Sequence, residues 1–204
     1  MQRELPKIAI VHVNTVPGEA FDEFRLATTS PEVEVQVIAV EPPGPMAGVE
    51  WLMPAVVTGF IASAYFGGFF QEMGKDHYVL LKEQLKKLYR KVAGPDAPEV
   101  RLVGTKGKVK EVQPYSLFFS LMGEVPDGLR LKLLLKRQIS PAEYDRCLDA
   151  FLDLLEELNS GKTTDTVRRR FESLAPMGRT MLVAYDDTLD EIVPLDPRSG
   201  ELKR

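Results

Sequence analysis

The first forty residues contain two apolar stretches separated by a short stretch with helical periodicity. Lys7 to Val13 is almost entirely apolar, and Glu32 to Val40 alternates between apolar and polar positions. Both patterns are typical of β-strands. Between them, Pro17 and Gly18 open a helical pattern that ends before Pro31. The chain therefore begins with a predicted strand–helix–strand unit, which favours a parallel pair with a right-handed crossover.

The stretch from Trp51 to Gln71 contains no charged residue. It is long enough to span a bilayer as a helix, although glycine, serine and proline dilute its apolar character. If the stretch is helical, small residues recur every fourth position and form a stripe that allows close packing of another backbone. This stripe consists of Ala55, Gly59, Ser63 and Gly67. Burial in the core or against another protein is favoured, and a membrane segment is the alternative.

An amphipathic helix is predicted from Glu72 to Val92. Its apolar stripe comprises Tyr78, Leu81, Leu85, Leu88 and Val92. Its remaining faces carry Lys82, Lys86, Lys87, Arg90 and Lys91. A single helix from Pro54 to Val92 would be about 58 Å long at 1.5 Å per residue, so a kink or break is expected near Gly67 and Gly68.

The second half alternates between strand and helix signals. Strands are predicted over 99–103, 115–122 and 129–137, and in the last of these leucines alternate with basic residues that we expect to face water. Ser140, followed by Pro141 and Glu143, forms a capping box that begins a helix extending to Asn159. A shorter helix ends at Pro176, and strands at 179–185 and 191–195 form a closing hairpin.

These elements predict an α+β fold. Its order is a βαβ start, a long central helix, an antiparallel meander, two helices and a C-terminal hairpin. A Rossmann-like α/β fold is the alternative, since the opening unit would suit it. We expect residues 1–204 to form a single domain, with two subdomains, 1–94 and 95–204, as a further possibility.

Charge is segregated along the chain, although the net charge is only -4. Residues 1–74 carry a balance of -6, residues 75–137 a balance of +7 and residues 138–204 a balance of -5. The basic middle, including Lys106, Lys108 and Lys110, could bind an anionic membrane or, less readily, nucleic acid. It could equally complement the acidic ends within the fold, which is the favoured interpretation.

Cysteine and histidine are scarce. Cys147 is the single cysteine, so no internal disulfide can form, and the first residues lack the apolar core of a signal peptide. A cytoplasmic location is expected, with membrane association as the alternative. Zinc fingers and three-histidine zinc sites are excluded within one chain, because His12 and His77 are the only histidines. We expect structural roles for all three residues, and no cofactor.

Two short motifs suggest chemistry. The segment from Ser160 to Thr164 resembles the end of a phosphate-binding P-loop, but Glu156 occupies the position where that motif needs glycine. A helix cap is the better interpretation. Four carboxylates, those of Asp186, Asp187, Asp190 and Glu191, lie within six residues and could bind Mg²⁺ or Ca²⁺. Turn geometry at a hairpin tip explains them equally well.

Caps, turns and packing stripes dominate the sequence, and these specify a fold rather than a reaction. The first functional hypothesis is a non-catalytic interaction or accessory module that packs against itself or a protein partner through the small-residue stripe. The second is a membrane-associated protein anchored by residues 51–71 and the basic helix. The third is a metal-dependent hydrolase that uses the acidic cluster at 186–191.

Overall fold

The computed structural model describes residues 6–42, 55–94, 114–172 and 175–203, with the backbone alone for residues 68–74. The strands are β1 (Ile8–Val13), β2 (Val35–Val40), β3 (Val57–Ile61), β4 (Tyr115–Glu124), β5 (Arg130–Lys136), β6 (Thr180–Asp186) and β7 (Glu191–Pro194). The helices are α1 (Asp22–Thr28), α2 (Gly68–Ala93), α3 (Pro141–Ser160) and α4 (Asp165–Glu172).

The seven strands of the described residues belong to one mixed sheet with the order β2-β1-β3-β4-β5-β6-β7. Three pairs are parallel: β1 with β2, β3 with β4, and β5 with β6. The remaining neighbours, β1 with β3, β4 with β5 and β6 with β7, are antiparallel. Each parallel pair is connected through at least one helix. The mixed sheet and the four helices of the described residues fit the predicted α+β class. The strand predicted over 99–103 and the lysines at 106, 108 and 110 lie outside the described residues.

The helix predicted within residues 51–71 is wrong for residues 57–65. Residues 57–61 form β3 in the interior of the sheet, and a short 3-10 turn, Ser63–Tyr65, follows it. The β-branched and aromatic side chains around Gly59 suit a pleated strand, and the strand is buried on alternate positions. Periodicity alone cannot separate a buried strand from a buried helix in an apolar run.

The helices bury one face of this sheet in a single hydrophobic core. The apolar stripe predicted for α2 is buried there, and α3 contributes a second stripe at helical spacing. The α3 stripe comprises Tyr144, Leu148, Phe151 and Leu155. Strands from both of the possible subdomains, 1–94 and 95–204, contribute to the same core.

Helix α3 is closed at both ends by local signals. Ser140 Oγ accepts from the backbone N–H of Glu143, and the Glu143 carboxylate accepts from the backbone N–H of Ser140. Gly161 ends the helix in the left-handed region, at φ 70°. Thr164 Oγ1 then accepts from the N–H of Val167 at the start of α4. The resemblance of this segment to a P-loop is therefore explained by a helix cap, as predicted.

Close packing of α3 on the sheet depends on a glycine in β4. A Cβ atom on Gly123 would lie 2.3 Å from Cδ1 and 2.4 Å from Cδ2 of Leu155. Real Cβ atoms do not approach other carbons so closely, so a side chain at this position would force Leu155 or the backbone to move. Gly123 therefore leaves the space that the Leu155 side chain of α3 occupies against β4.

We expect Gly123→Ala to lower the free energy of unfolding by about 1–3 kcal/mol, because overpacking forces the backbone or Leu155 to move. Gly18→Ala is the matched control, because no atom lies within 4 Å of the added Cβ there. Urea denaturation measures both. Combining Gly123→Ala with Leu155→Ala should give a smaller loss than the sum of the two single losses. Additive losses would contradict the steric explanation.

Candidate interaction site

The four positions of the predicted small-residue stripe do not share one helix face. Ala55 precedes β3, Gly59 lies within β3, Ser63 begins the 3-10 turn and Gly67 is the N-cap of α2. A Cβ atom on Gly59 would lie 2.7 Å from Cδ2 of Leu121, so this glycine admits a core side chain of the neighbouring strand. The predicted helical stripe is therefore wrong, and the four residues lie in different elements.

The basic residues of α2 are largely paired with α3. Lys82 Nζ lies 2.6 Å from Oδ1 of Asp153, and Lys86 Nζ lies 2.8 Å from Oδ2 of Asp149. Arg90 lies 2.6 Å from Oδ2 of the third aspartate, Asp145. Each partner is four residues from the next on both helices, so the three pairs form a ladder along an antiparallel helix pair.

This ladder pairs basic residues of the middle segment with aspartates of the acidic segment that follows it. Lys91 adds a contact of 3.7 Å to Glu23 on α1. Lys87 is exposed and forms no ion pair with a described residue. The four-residue spacing of the aspartates on α3 was visible in the sequence but was not recognised as the complement of the lysines. Most of the basic surface expected on α2 is thus engaged within the fold.

We expect Lys86→Gln to lower the free energy of unfolding by up to about 1 kcal/mol at low salt, because the ladder pairs are partly exposed. Lys87→Gln, one residue along, is the matched control and should change stability by less than about 0.5 kcal/mol. Urea denaturation at 20 mM and 1 M NaCl separates the cases. Equal effects for the two lysines, or no salt dependence for Lys86→Gln, would argue against the ladder.

The acidic cluster of the β6–β7 hairpin is divided among separate partners. Asp187 pairs with Lys136, Asp190 accepts from the hydroxyl of Tyr185, and Glu191 pairs with Arg170. Asp186 is buried and accepts from the backbone N–H of Thr188, as turn geometry requires. Within the described ranges, no group of three or more His, Cys, Asp or Glu side chains is placed to hold a metal ion.

Both histidines and the cysteine are buried. His77 Nε2 donates to the carbonyl of Thr28 at 2.9 Å, since a carbonyl can only accept, and Nδ1 accepts from the hydroxyl of Tyr65 at 2.9 Å. His77 thus connects α2, α1 and the 3-10 turn after β3. His12 packs against the ring of Phe21. Burial raises the pKa of the Cys147 thiol to about 12, which suits a core residue rather than a nucleophile.

Lys132 of β5 is buried, although the sequence predicted a water-facing strand residue. The residue is 3% exposed, its side chain lies on the sheet face opposite the helices, and its register neighbours are Met122 and Leu182. Burial lowers the pKa of Lys132 to about 8. Alternation alone could not identify this residue, because it assumes that one face of the strand meets solvent.

The folded protein therefore releases the Lys132 proton at lower pH than the unfolded chain, whose lysine has a pKa of 10.5. Between these two pKa values the unfolded state binds more protons than the folded state, so the free energy of unfolding rises with pH. We expect wild type to gain stability relative to Lys132→Met between about pH 8 and about pH 9.5, below the range where tyrosines ionise. Urea denaturation at several pH values measures this, and parallel curves would contradict it.

The two edges of the sheet differ. At the β7 edge, the C-terminal residues fold back, and the N–H of Lys203 donates to the carbonyl of Pro194. Leu195 and Leu202 form a bridge there and join the cluster on the second sheet face. At the β2 edge, by contrast, no described residue forms a backbone ladder with the outer side of the strand.

The hydrogen bonds to β1 decide which groups of β2 point outward. The N–H of Asn14 donates to the carbonyl of Val40, so Val40, Ile38 and Gln36 direct their backbone groups towards β1. The residues between them face the other way: the N–H and C=O groups of Val35, Val37 and Ala39 point out of the sheet. We call this row, with its flanking side chains from Glu34 to Glu41, the β2 edge.

No protein-family model, curated protein sequence or solved structure matches this chain. None of the helices in the described residues combines the length and apolar composition that a membrane crossing requires. A cavity of about 10 Å³, room for about one water, lies between α3 and the ends of β5 and β6. Function is therefore inferred from this chain's own geometry.

Proposed function

We propose that the protein is a non-catalytic interaction module that binds an extended segment of another protein as an added strand at the β2 edge. This proposal keeps the interaction role predicted from the sequence, but it places the binding surface on β2 instead of on the small-residue positions. No contact among the described residues favours the membrane-associated or hydrolase alternatives over strand addition.

The observation that carries this proposal is that no described residue pairs with or covers the outer side of β2. Edge strands usually resist pairing through charge, proline, a bulge or a covering segment. Val35–Val40 contains only valine, glutamine, isoleucine and alanine. Its pairing with β1 runs without a break in register over all six residues. A regular, uncharged edge of this kind is what strand addition uses.

Apolar side chains beside the open backbone groups would supply affinity. Ile38 and Val40 are each 39% exposed and project from the same face of β2. Main-chain hydrogen bonds contribute about 0.5–1.5 kcal/mol each, so even a complete ladder only partly offsets the loss of freedom on association. Burial of Ile38 and Val40 would therefore decide whether binding is measurable.

Ala39→Pro tests the proposal with little disturbance of the fold. The N–H of Ala39 points outward, so proline at this position removes a donor from the β2 edge and leaves the ladder to β1 intact. We expect peptides that bind wild type to lose at least about tenfold in affinity for Ala39→Pro, the equivalent of about 1.4 kcal/mol. Circular dichroism and urea denaturation confirm that the variant remains folded.

The probe is a displayed library of eight-residue peptides, selected on the immobilised wild-type protein and then synthesised for fluorescence-polarisation titration. Ile38→Lys is a second edge variant, and its matched control is Leu26→Lys, because Leu26 is 74% exposed on α1. Selected peptides should bind wild type and Leu26→Lys but not Ile38→Lys. Peptides that bind all variants equally, or a library that yields no binder, would overturn strand addition at β2.

A further inference from the structure

The acidic residues that flank β2 suggest which segment the edge accepts. Glu34 and Glu41 are exposed, and the hydrogen bonds that they accept from described residues come from neutral amides, those of Gln36 and Asn14. Neither carboxylate forms an ion pair with a described residue. At the start of the strand, Lys7 Nζ donates to the backbone carbonyl of Glu32, and this cation partly balances the negative charge of the glutamates before β2.

The two carboxylates lie at either end of the apolar side chains of β2. Glu34 lies on the same face of the strand as Ile38 and Val40, because residues of equal parity share a face. Glu41 lies on the opposite face, beyond Ala39. The β2 edge therefore presents an apolar centre with one negative charge at each end.

A second copy of the chain fits this edge poorly. Two β2 strands related by a twofold axis pair antiparallel, and their outward residues must lie opposite one another. With the axis at residue 36, 37 or 38, Glu34 lies opposite Ile38, Val40 or Pro42 of the second copy. In none of these registers does a lysine or arginine lie opposite Glu34. The Glu34 and Glu41 carboxylates of both copies would instead lie along the same pair of strands, where like charges destabilise pairing.

We propose that the partner is an extended protein segment with an apolar core and a lysine or arginine at each end. This inference rests on the proposed function and specifies its partner. Opposite charges across adjacent strands stabilise the pair, whereas like charges destabilise it. A basic residue opposite Glu34 and another opposite Glu41 would also fix the register, since a shift of two residues separates each cation from its carboxylate.

The probe is a labelled eight-residue peptide with lysine at both ends and a core of valine, isoleucine and threonine. A second peptide carries glutamate at both ends and the same core. At 50 mM salt we expect wild type to bind the lysine peptide at least about fivefold more tightly than the glutamate peptide. The difference should shrink at 500 mM salt, because exposed charges are screened.

The variant Glu34→Lys combined with Glu41→Lys provides the reciprocal test. Both side chains are exposed, so the substitutions leave the core intact. We expect this variant to prefer the glutamate peptide, which a loss of fold or general stickiness would not produce. Equal binding of the two peptides to wild type, with no exchange of preference in the variant, would overturn the charge proposal.

The outcomes separate this inference from the function on which it rests. If Ala39→Pro abolishes binding of both peptides while charge has no effect, strand addition holds and the basic partner is wrong. If neither peptide binds, or Ala39→Pro has no effect, both proposals fail. A dimer detected by light scattering that Ala39→Pro dissociates would overturn the basic partner and assign the edge to a second copy.

Discussion

Packing of α2 and α3 on one face of the sheet is the constraint on which the other interactions depend. A Cβ atom on Gly59 would lie 4.0 Å from Cδ2 of Leu85 on α2, and Leu155 of α3 lies against Gly123. These glycines let the leucines of the helices and strands interlock, so the helices can lie close to the sheet. Burial of one leucine is worth about 1.5–3 kcal/mol, more than a partly exposed ion pair contributes. The apolar layer therefore sets the position of the helices, and the ion pairs follow from it.

The Lys–Asp ladder is the first consequence of that packing. Lys82, Lys86 and Arg90 meet aspartates on α3 because the two helices already lie antiparallel at the right separation. Their contribution to affinity for an outside anion is reduced, since each cation already has a carboxylate beside it. The basic residues of α2 thus form ion pairs between two helices. Glu34 and Glu41, which flank β2, remain among the charges available to a partner.

The second consequence is an asymmetry between the two edges of the sheet. The C-terminal residues return to the end of β7, where the N–H of Lys203 donates to the carbonyl of Pro194. The β2 edge keeps outward N–H and C=O groups at Val35, Val37 and Ala39. A protein generally protects such an edge or uses it. The absence of charge and proline within Val35–Val40 favours use, and in our proposal the glutamates on either side select the partner.

Local signals in the sequence determined the parts of the structure that depend on neighbouring residues. The capping box at Ser140, the terminal glycine at position 161 and the stripes of α2 and α3 could be predicted because a helix is organised over three or four residues. Tertiary structure decided the rest. Residues 57–61 became a strand because β1 and β4 supply hydrogen bonds on both sides, and no local pattern encodes those partners. Lys132 became buried, and β2 became an edge, for the same reason: burial and pairing depend on residues far away in the chain.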